Sequence, residues 1–512
     1  MMALIALALG LATPAVPGCA GVSGNLSSVR VEYDSRISAA GHMSALIFAP
    51  SSDGELKAIE ADSGRELWTF AAPELSAAST PTELMTDIAV LRFDANGDGI
   101  IDAAGGDRVW LYFGLKRAGA YYYALDVSRR IPRVLWKADS AALQGLADAW
   151  STPTVARVRV GGATQNGEHF VVIVGGGFSR DASAAGNRLF MLDAASGHLL
   201  WSAGNDSGSD LPLSHMTHGI AARVATLDID GDGFADRLYT ADVGGRVWRF
   251  DVWNGRARDR LVTGGVFASL GTAEPLPTLA APSDARRFFV APDVALMQSR
   301  GRDPWYNLAI GSGDGDDVRA TSVRNRFYSL KDRDPFAMRS QTDYDAASPL
   351  LDADLADLVA GMPGEDSPGW KLDLTSGEAV LAEAVTAAAV VMFTTHEAGA
   401  SVDGSLCASD DTNRVYALNV GTGAAALDLD HDAQVTDADR SAVLEQKGIP
   451  AGVRIELPAS GHGTPADPSA PGAPPPVASI RAPRCLVGAE LLDRCVPLDT
   501  VLRTFWKSLS VN

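Results

Sequence analysis

The sequence predicts an all-β fold, a modified β-propeller, and three observations carry that expectation. They are a recurring unit of strand, polar turn and strand; a series of short apolar runs ending at glycine or a polar turn; and 51 Gly with 27 Pro in 512 residues. Each sharp reversal needs residues that tolerate unusual backbone angles, so this composition favours many short strands over long helices. Units that recur at intervals of roughly fifty residues or more suit blades that pair their strands locally and pack face to face.

Taken in order, residues 1–24 open with MMALIALALGLATPAVPGCAG, an apolar, signal-like segment without a basic start. Export is the expectation, with the C-terminal portion of a longer protein as the alternative. No other stretch is long and apolar enough to span a membrane. The blade unit first appears at Leu56 as LKAIEADSGRELW. It returns as YYALDVSRRIPRVLW from Tyr122 to Trp136, LFMLDAASGHLLW from Leu189 to Trp201, and VYALNVGTGAA from Val415 to Ala425. Central strands are expected at Val109 to Gly114, Phe170 to Gly175, Leu238 to Ala241, Leu308 to Gly311 and Ala389 to Thr394, where β-branched residues and nearby glycine favour strand over buried helix. Trp68, Trp136, Trp201 and Trp248 are expected to pack between blades.

Asp345 to Val359 breaks the pattern. Its apolar Leu350, Leu351, Leu355, Leu358 and Val359 alternate with Asp, which predicts a short amphipathic helix inserted between blades. The propeller is read over residues 44–425, followed by an Asp-rich loop insertion at 426–450, a mobile Pro/Gly linker at 461–476 and a tail at 477–512. Cys485 and Cys495 are close enough for a local bridge in an exported chain, while Cys19 and Cys407 are unassigned.

Three Asp-rich loops carry the candidate chemistry. Asp228, Asp230, Asp232, the Phe234 carbonyl and Asp236 stand at positions 1, 3, 5, 7 and 9 of a loop bent at Gly233. Hard oxygen donors at that spacing replace the hydration shell of Ca²⁺. Asp94, Asn96, Asp98, the Ile100 carbonyl and Asp102 repeat the spacing, with Gly99 in the same place. Asp428, Asp430, Asp432, the Gln434 carbonyl and Asp439 follow the 1, 3, 5, 7, 12 spacing of an EF-hand or dockerin loop, with Ala433 where glycine usually bends the chain and a helix-like SAVLEQKG after it. The second loop runs directly into a hairpin, Leu238 to Ala241 and Val247 to Phe250 around Gly244-Gly245, with no flanking helix pair.

The net charge of -20 argues against binding nucleic-acid backbones, which requires clustered Lys and Arg. There is no HExxH, GxGxxG, Walker A or GxSxG motif, so neither a zinc site, a nucleotide pocket nor a nucleophile elbow is expected, and the reading is of a protein that is not an enzyme.

The run DIDGDGFADRLYTADVGGRVWRFDV resembles the calcium loop and following hairpin of the PilC/PilY family, the tip-associated adhesin and biogenesis proteins of bacterial type IV pili. NRFYSLKDRDP from Asn325, GWKLDLTSGEAV from Gly369, and the ending CLVGAELLDRCVPLDTVLRTFWKSL are similar to later parts of the same family. The resemblance implies quinoprotein-like blades and a bound Ca²⁺ that governs pilus extension and retraction. It also implies partners among the pilus machinery or minor pilins, a host or abiotic surface as the adhesive target, and a place at the cell surface, in the fimbrium or in the periplasm. The large N-terminal region usual in the family is not found. DSGRELW-type repeats also occur in quinoprotein dehydrogenases, but the adjacent Cys pair of those enzymes is missing. An FG-GAP-like or quinoprotein-like scaffold with purely structural calcium is the alternative reading.

Overall fold

The computed structural model describes residues 29–33, 44–51, 54–77, 85–117, 119–162, 167–180, 185–271, 286–298, 301–320, 323–364, 366–399, 410–456, 483–488 and 490–496. The signal-like segment, Cys19, Cys407, the 461–476 linker and the RTFW stretch lie outside the described residues.

Seven sheets follow one another as the blades of a β-propeller. Blade 1 is β1 (Val29–Tyr33), β2 (Ser44–Pro50), β3 (Glu55–Glu60) and β4 (Glu66–Ala71), and blade 2 is β5 (Ala89–Phe93), β6 (Arg108–Gly114), β7 (Tyr121–Asp126) and β8 (Arg133–Asp139). Blade 3 is β9 (Thr154–Val160), β10 (Gly167–Gly175), β11 (Arg188–Asp193) and β12 (Leu199–Gly204), with β13 (Leu211–Pro212) on its edge. Blade 4 is β14 (Ala225–Leu227), β15 (Arg237–Ala241), β16 (Arg246–Val252) and β17 (Val262–Ser269). Blade 5 takes β18 (Asp293–Met297), β19 (Trp305–Gly311) and β20 (Arg326–Asp332) in sequence. The chain then makes helix α1 (Gln341–Ala346), β21 (Leu350–Leu351) and β22 (Ala356–Asp357) before the fourth strand, β23 (Gly369–Asp373). In blade 6, β24 (Glu378–Ala379) and β25 (Val385–Ala387) both pair with β26 (Val390–Glu397), followed by β27 (Thr412–Asn419) and β28 (Ser441–Leu444). Blade 7 has three described strands, β29 (Val453–Glu456), β30 (Arg484–Val487) and β31 (Glu490–Leu492). The strands thus run past both limits, 44 and 425, read from the sequence.

The first strands of successive blades pack against one another, β5 on β9, β9 on β14 and β18 on β25, so they line the axis. The expected central strands are the second strands β6, β10, β15, β19 and β26, and the repeated units in blades 1 to 3 are the third and fourth strands. The core is distributed between blades: Trp201 and Trp248 fill the cluster between blades 3 and 4, and Trp136 the one between blades 2 and 3.

A tryptophan on the outer strand docks on the turn of the next blade. The Trp68 indole N–H donates to the Arg130 carbonyl at 2.6 Å, Trp136 to Ala194 at 2.9 Å, and Trp370 to Val420 at 2.8 Å. Burying a large ring whose one polar atom finds a carbonyl satisfies both requirements of the indole. The turn glycine belongs to this arrangement. Gly197 has φ +71°, and a Cβ there would lie 2.7 Å from the Trp136 ring.

Two helical expectations are corrected. The helix lies at Gln341–Ala346, capped by Ser340 and Asp343, and ends before Ser348-Pro349. A residue preceding proline is pushed out of the α region, so the apolar run beyond it forms β21, a 3₁₀ turn at Asp352–Asp354 and β22 instead. SAVLEQKG does not form a helix either: Ser441–Leu444 pairs with Asn413–Tyr416 of β27, whose open edge takes it as the fourth strand of blade 6. For the same reason VYALNVGTGAA contributes only its first arm as a strand, and Ala425 makes an isolated bridge to Leu418.

Candidate metal centre

The second Asp-rich loop joins β14 to β15 in blade 4. Asp228 ties it together, accepting the N–H of Gly231 at 2.7 Å and of Gly233 at 2.8 Å on its two oxygens. Asp230 accepts from the Asp232 N–H and Asp232 from the Phe234 N–H, while Asp236 reaches back to the Ile229 N–H at 2.8 Å. Gly231 and Gly233 take φ of 80° and 85°, the left-handed region that glycine enters without a Cβ penalty. This winding brings one carboxylate oxygen each of Asp228, Asp230 and Asp236 within 4.8 Å of one another. Ligands held 2.3–2.6 Å from one ion must be no further apart than about 5 Å, so the spacing suits a shared cation.

Asp232 is placed differently. Its Oδ2 is 3.3 Å from Arg159 Nη1 of blade 3, and that guanidinium also lies 3.7 Å from the centre of the buried Phe234 ring. Burial, together with the Asp230 and Asp228 charges, pushes the Asp236 carboxyl above its usual range despite the Ile229 hydrogen bond. A cation in the loop would relieve that repulsion.

The third loop lies between β27 and β28 in blade 6 and gathers Asp428, Asp430 and Asp432 in the same way. Asp439 is fully buried and accepts the N–H groups of Thr436, Leu429 and Asp430, which hold its carboxyl below the usual range. Asp428 Oδ2 accepts from Arg494 at 3.1 Å, and Asp428 Oδ1 is buried without a hydrogen-bond partner. His431 and Ala433 take positive φ where glycine is absent, a cost of about 1 kcal/mol each. Gln434 donates its N–H to Asp432. The loop packs on the Cys485–Cys495 disulfide, whose Cα atoms are 5.2 Å apart, through Arg494 and a His431–Asp493 contact at 3.3 Å.

The first loop, between β5 and β6, winds alike but does not gather three carboxylates. Asp94 accepts from Gly97 and Gly99, Asn96 and Asp98 accept from Asp98 and Ile100, and the Asn96 amide donates to Asp98. Asp102 accepts from Ala104. The part played by Asp236 falls to Asp107, which is buried and accepts the N–H of Ala95 at 2.9 Å and of Asp102 at 2.8 Å. Sequence spacing missed Asp107 because it lies beyond the nine-residue frame. Also missed were the buried charges just past the second loop, Arg237, Arg249 and Asp251, although Arg and Asp at alternate positions of an apolar hairpin were a visible signal, and with them their buried partner Asp332 at the end of β20.

A family model described as outer membrane protein assembly factor BamB matches residues 52–323. The type IV pilus biogenesis factor PilY1 homolog of Xylella fastidiosa (strain Temecula1) is 25% identical over 458 residues, covering 80% of this chain and 28% of that protein. Type IV pilus biogenesis factor PilY1 of Pseudomonas aeruginosa (strain UCBPP-PA14) is 24% identical over 472 residues, covering 81% of this chain and 38% of that protein. The chain therefore spans well under half the length of these relatives. In fold it is similar to the crystal structure of the Pseudomonas aeruginosa PilY1 C-terminal domain, with a TM-score of 0.59, 19% identity, and coverage of 88% of this chain and 92% of that one. No helix among the described residues is long and apolar enough to cross a membrane. With blades and repeats in agreement, the chain belongs to the matched family, described as outer membrane protein assembly factor BamB, and over about four fifths of its length it is similar to type IV pilus biogenesis factors named PilY1.

Proposed function

We propose that this chain is a non-enzymatic, calcium-binding propeller of the type IV pilus system, exported to the cell surface or periplasm, that regulates pilus extension and retraction through contact with pilus machinery or minor pilins. The observation that carries the calcium reading is the convergence of Asp228, Asp230 and Asp236 at the root of the β15–β16 hairpin. Empty, the cluster repels itself; a hard divalent ion converts the repulsion into a closed turn and fixes the hairpin that follows. The third loop supports a second ion, because the buried Asp428 Oδ1 has no protein donor. The names of the relatives support the pilus reading.

The test is calorimetric Ca²⁺ titration of chelator-stripped protein beside Asp94→Ala, Asp230→Ala and Asp430→Ala. The expected result is loss of one binding event in each of Asp230→Ala and Asp430→Ala. Asp94→Ala reports whether the first loop, which has an Asn in the set, binds as well. A titration with no heat at any site would leave the loops as acidic turns and remove calcium from the reading. A scaffold with purely structural calcium is the second reading, favoured by the Arg159 contact that ties Asp232 to blade 3. Restoring Asp230→Ala to cells that lack the protein separates the two: lost pilus extension with the protein still folded supports regulation, and normal piliation supports the scaffold.

A further inference from the structure

Between β20 and β23, residues 333–368 leave blade 5 and cross its rim onto blade 4, where β21 pairs with the outer strand β17. The start of this insertion is clamped. Arg237 donates to the carbonyls of Asp334 at 3.1 Å, Pro335 at 2.7 Å and Ala337 at 2.6 Å, and Arg249 reaches the same Ala337 carbonyl at 2.6 Å. Asp251 accepts the Arg339 N–H at 2.9 Å and the Tyr344 hydroxyl at 2.7 Å. The side chains of Arg237, Arg249 and Asp251 are 0% exposed, and Arg249 is also paired with buried Asp332.

Burying such charges costs several kcal/mol per ion before pairing, and apolar side chains of similar volume often pack the same space as stably. What the charged set adds is direction. Its hydrogen bonds fix the carbonyls on either side of one residue, Phe336, which is left 53% exposed. A large ring on backbone fixed before contact loses little freedom on binding, and anchors of that kind dominate interface energies. The same insertion exposes the carboxylates of Asp343, Asp345 and Asp354, together with Leu351, Val359 and Met362, while the Asp334 carboxylate is paired with Arg339.

We propose that the clamped tip at Phe336, with the carboxylates of its insertion, is the surface on which this propeller docks a basic protein partner, one that offers an apolar pocket for the ring rimmed by lysine or arginine. Charge complementarity selects that occupant. A second copy of this chain, at net charge -20, would meet acid with acid. The source of the partner rests on the pilus reading, and the probes are therefore the purified minor pilins of the same pili.

Each pilin is titrated into the full chain by calorimetry, wild type beside Phe336→Ala and Asp345→Lys. Both variants alter exposed side chains, and thermal unfolding confirms that the fold is intact. Phe336→Ala is expected to weaken binding by about 30-fold, as a central anchor does. The charge reversal should weaken it by about 10-fold and flatten its salt dependence. Binding by the wild type that neither variant changes overturns the docking surface and leaves the pilus reading standing. A wild-type chain that binds none of the pilins overturns the docking partner and the pilus reading together.

Discussion

Asp352 shows how one side chain organises a region without belonging to a strand. Its carboxylate accepts from Arg326 at 2.9 Å, the Tyr328 hydroxyl at 2.9 Å and Lys371 at 2.6 Å, tying the insertion to β20 and β23. Burial raises its carboxyl, but the Lys371 and Tyr328 hydrogen bonds and the Arg326 charge outweigh that and hold it below the usual range. Asp352→Asn should cost about 2 kcal/mol in denaturant unfolding, since it removes a partly buried negative charge from among Arg326, Lys371 and the buried Arg286. The sign of the pH dependence follows from the lowered folded value. The contribution is fully present above the unfolded value of about 3.9 and is lost as pH falls through the folded value below it. The gap between wild type and variant should thus be constant from pH 5 to 8 and close only in stronger acid; a gap that closes near neutrality would contradict the assignment.

At the scale of the element, the third Asp-rich loop and the disulfide-closed turn behave as one unit. Cys485 is fully buried among Val415, Leu444 and Val453, and the turn it closes presents Arg494 to Asp428. Replacing Cys485 and Cys495 together by Ala should lower stability by about 2–3 kcal/mol through the freed unfolded chain, with blade 6 and blade 7 backbone amides exchanging faster than those of blades 1 to 4. Uniform loss of protection across all blades would show that the bridge serves the whole ring instead. The loop could be read from spacing as a cluster of oxygen donors. Its dependence on Arg494, 66 residues from Asp428, could not, because nothing local links them.

At the scale of the molecule, ion pairs cross between blades that are not neighbours: Arg117 after β6 and Arg180 after β10 both pair with Asp316 after β19, and a further pair joins blades 4 and 6. Arg223, before β14 of blade 4, donates through Nε and Nη2 to both oxygens of Glu383, before β25 of blade 6, each at 2.8 Å. Desolvation opposes the Arg223 charge, and Glu383 more than restores it, so the guanidinium is held above its usual range. The side chains are 15% and 26% exposed, so Glu383→Gln should destabilise by about 2 kcal/mol, read as a lower denaturant midpoint with unchanged slope. A midpoint equal to wild type would mean that the pair contributes nothing to closing the ring.

The repeated units of blades 1 to 3, the central strands and the interblade tryptophans were legible in the sequence, as was the acidic spacing of the three loops. Each is written within a few tens of residues by apolar alternation, turn chemistry and donor spacing, and such short-range signals survive without knowledge of the rest of the chain. Tertiary structure alone decided that Asp107 rather than Asp102 closes the first loop, and that Asp232 faces Arg159 rather than the other carboxylates. It also turned the helix-like runs after Pro349 and Asp439 into edge strands, because open backbone edges on β17, β23 and β27 needed partners. And it placed Phe336 on a backbone held by arginines roughly a hundred residues away. A buried charge or an open sheet edge is satisfied by whatever the folded chain brings within hydrogen-bond reach, and that proximity is a property of the closed ring, not of any single stretch.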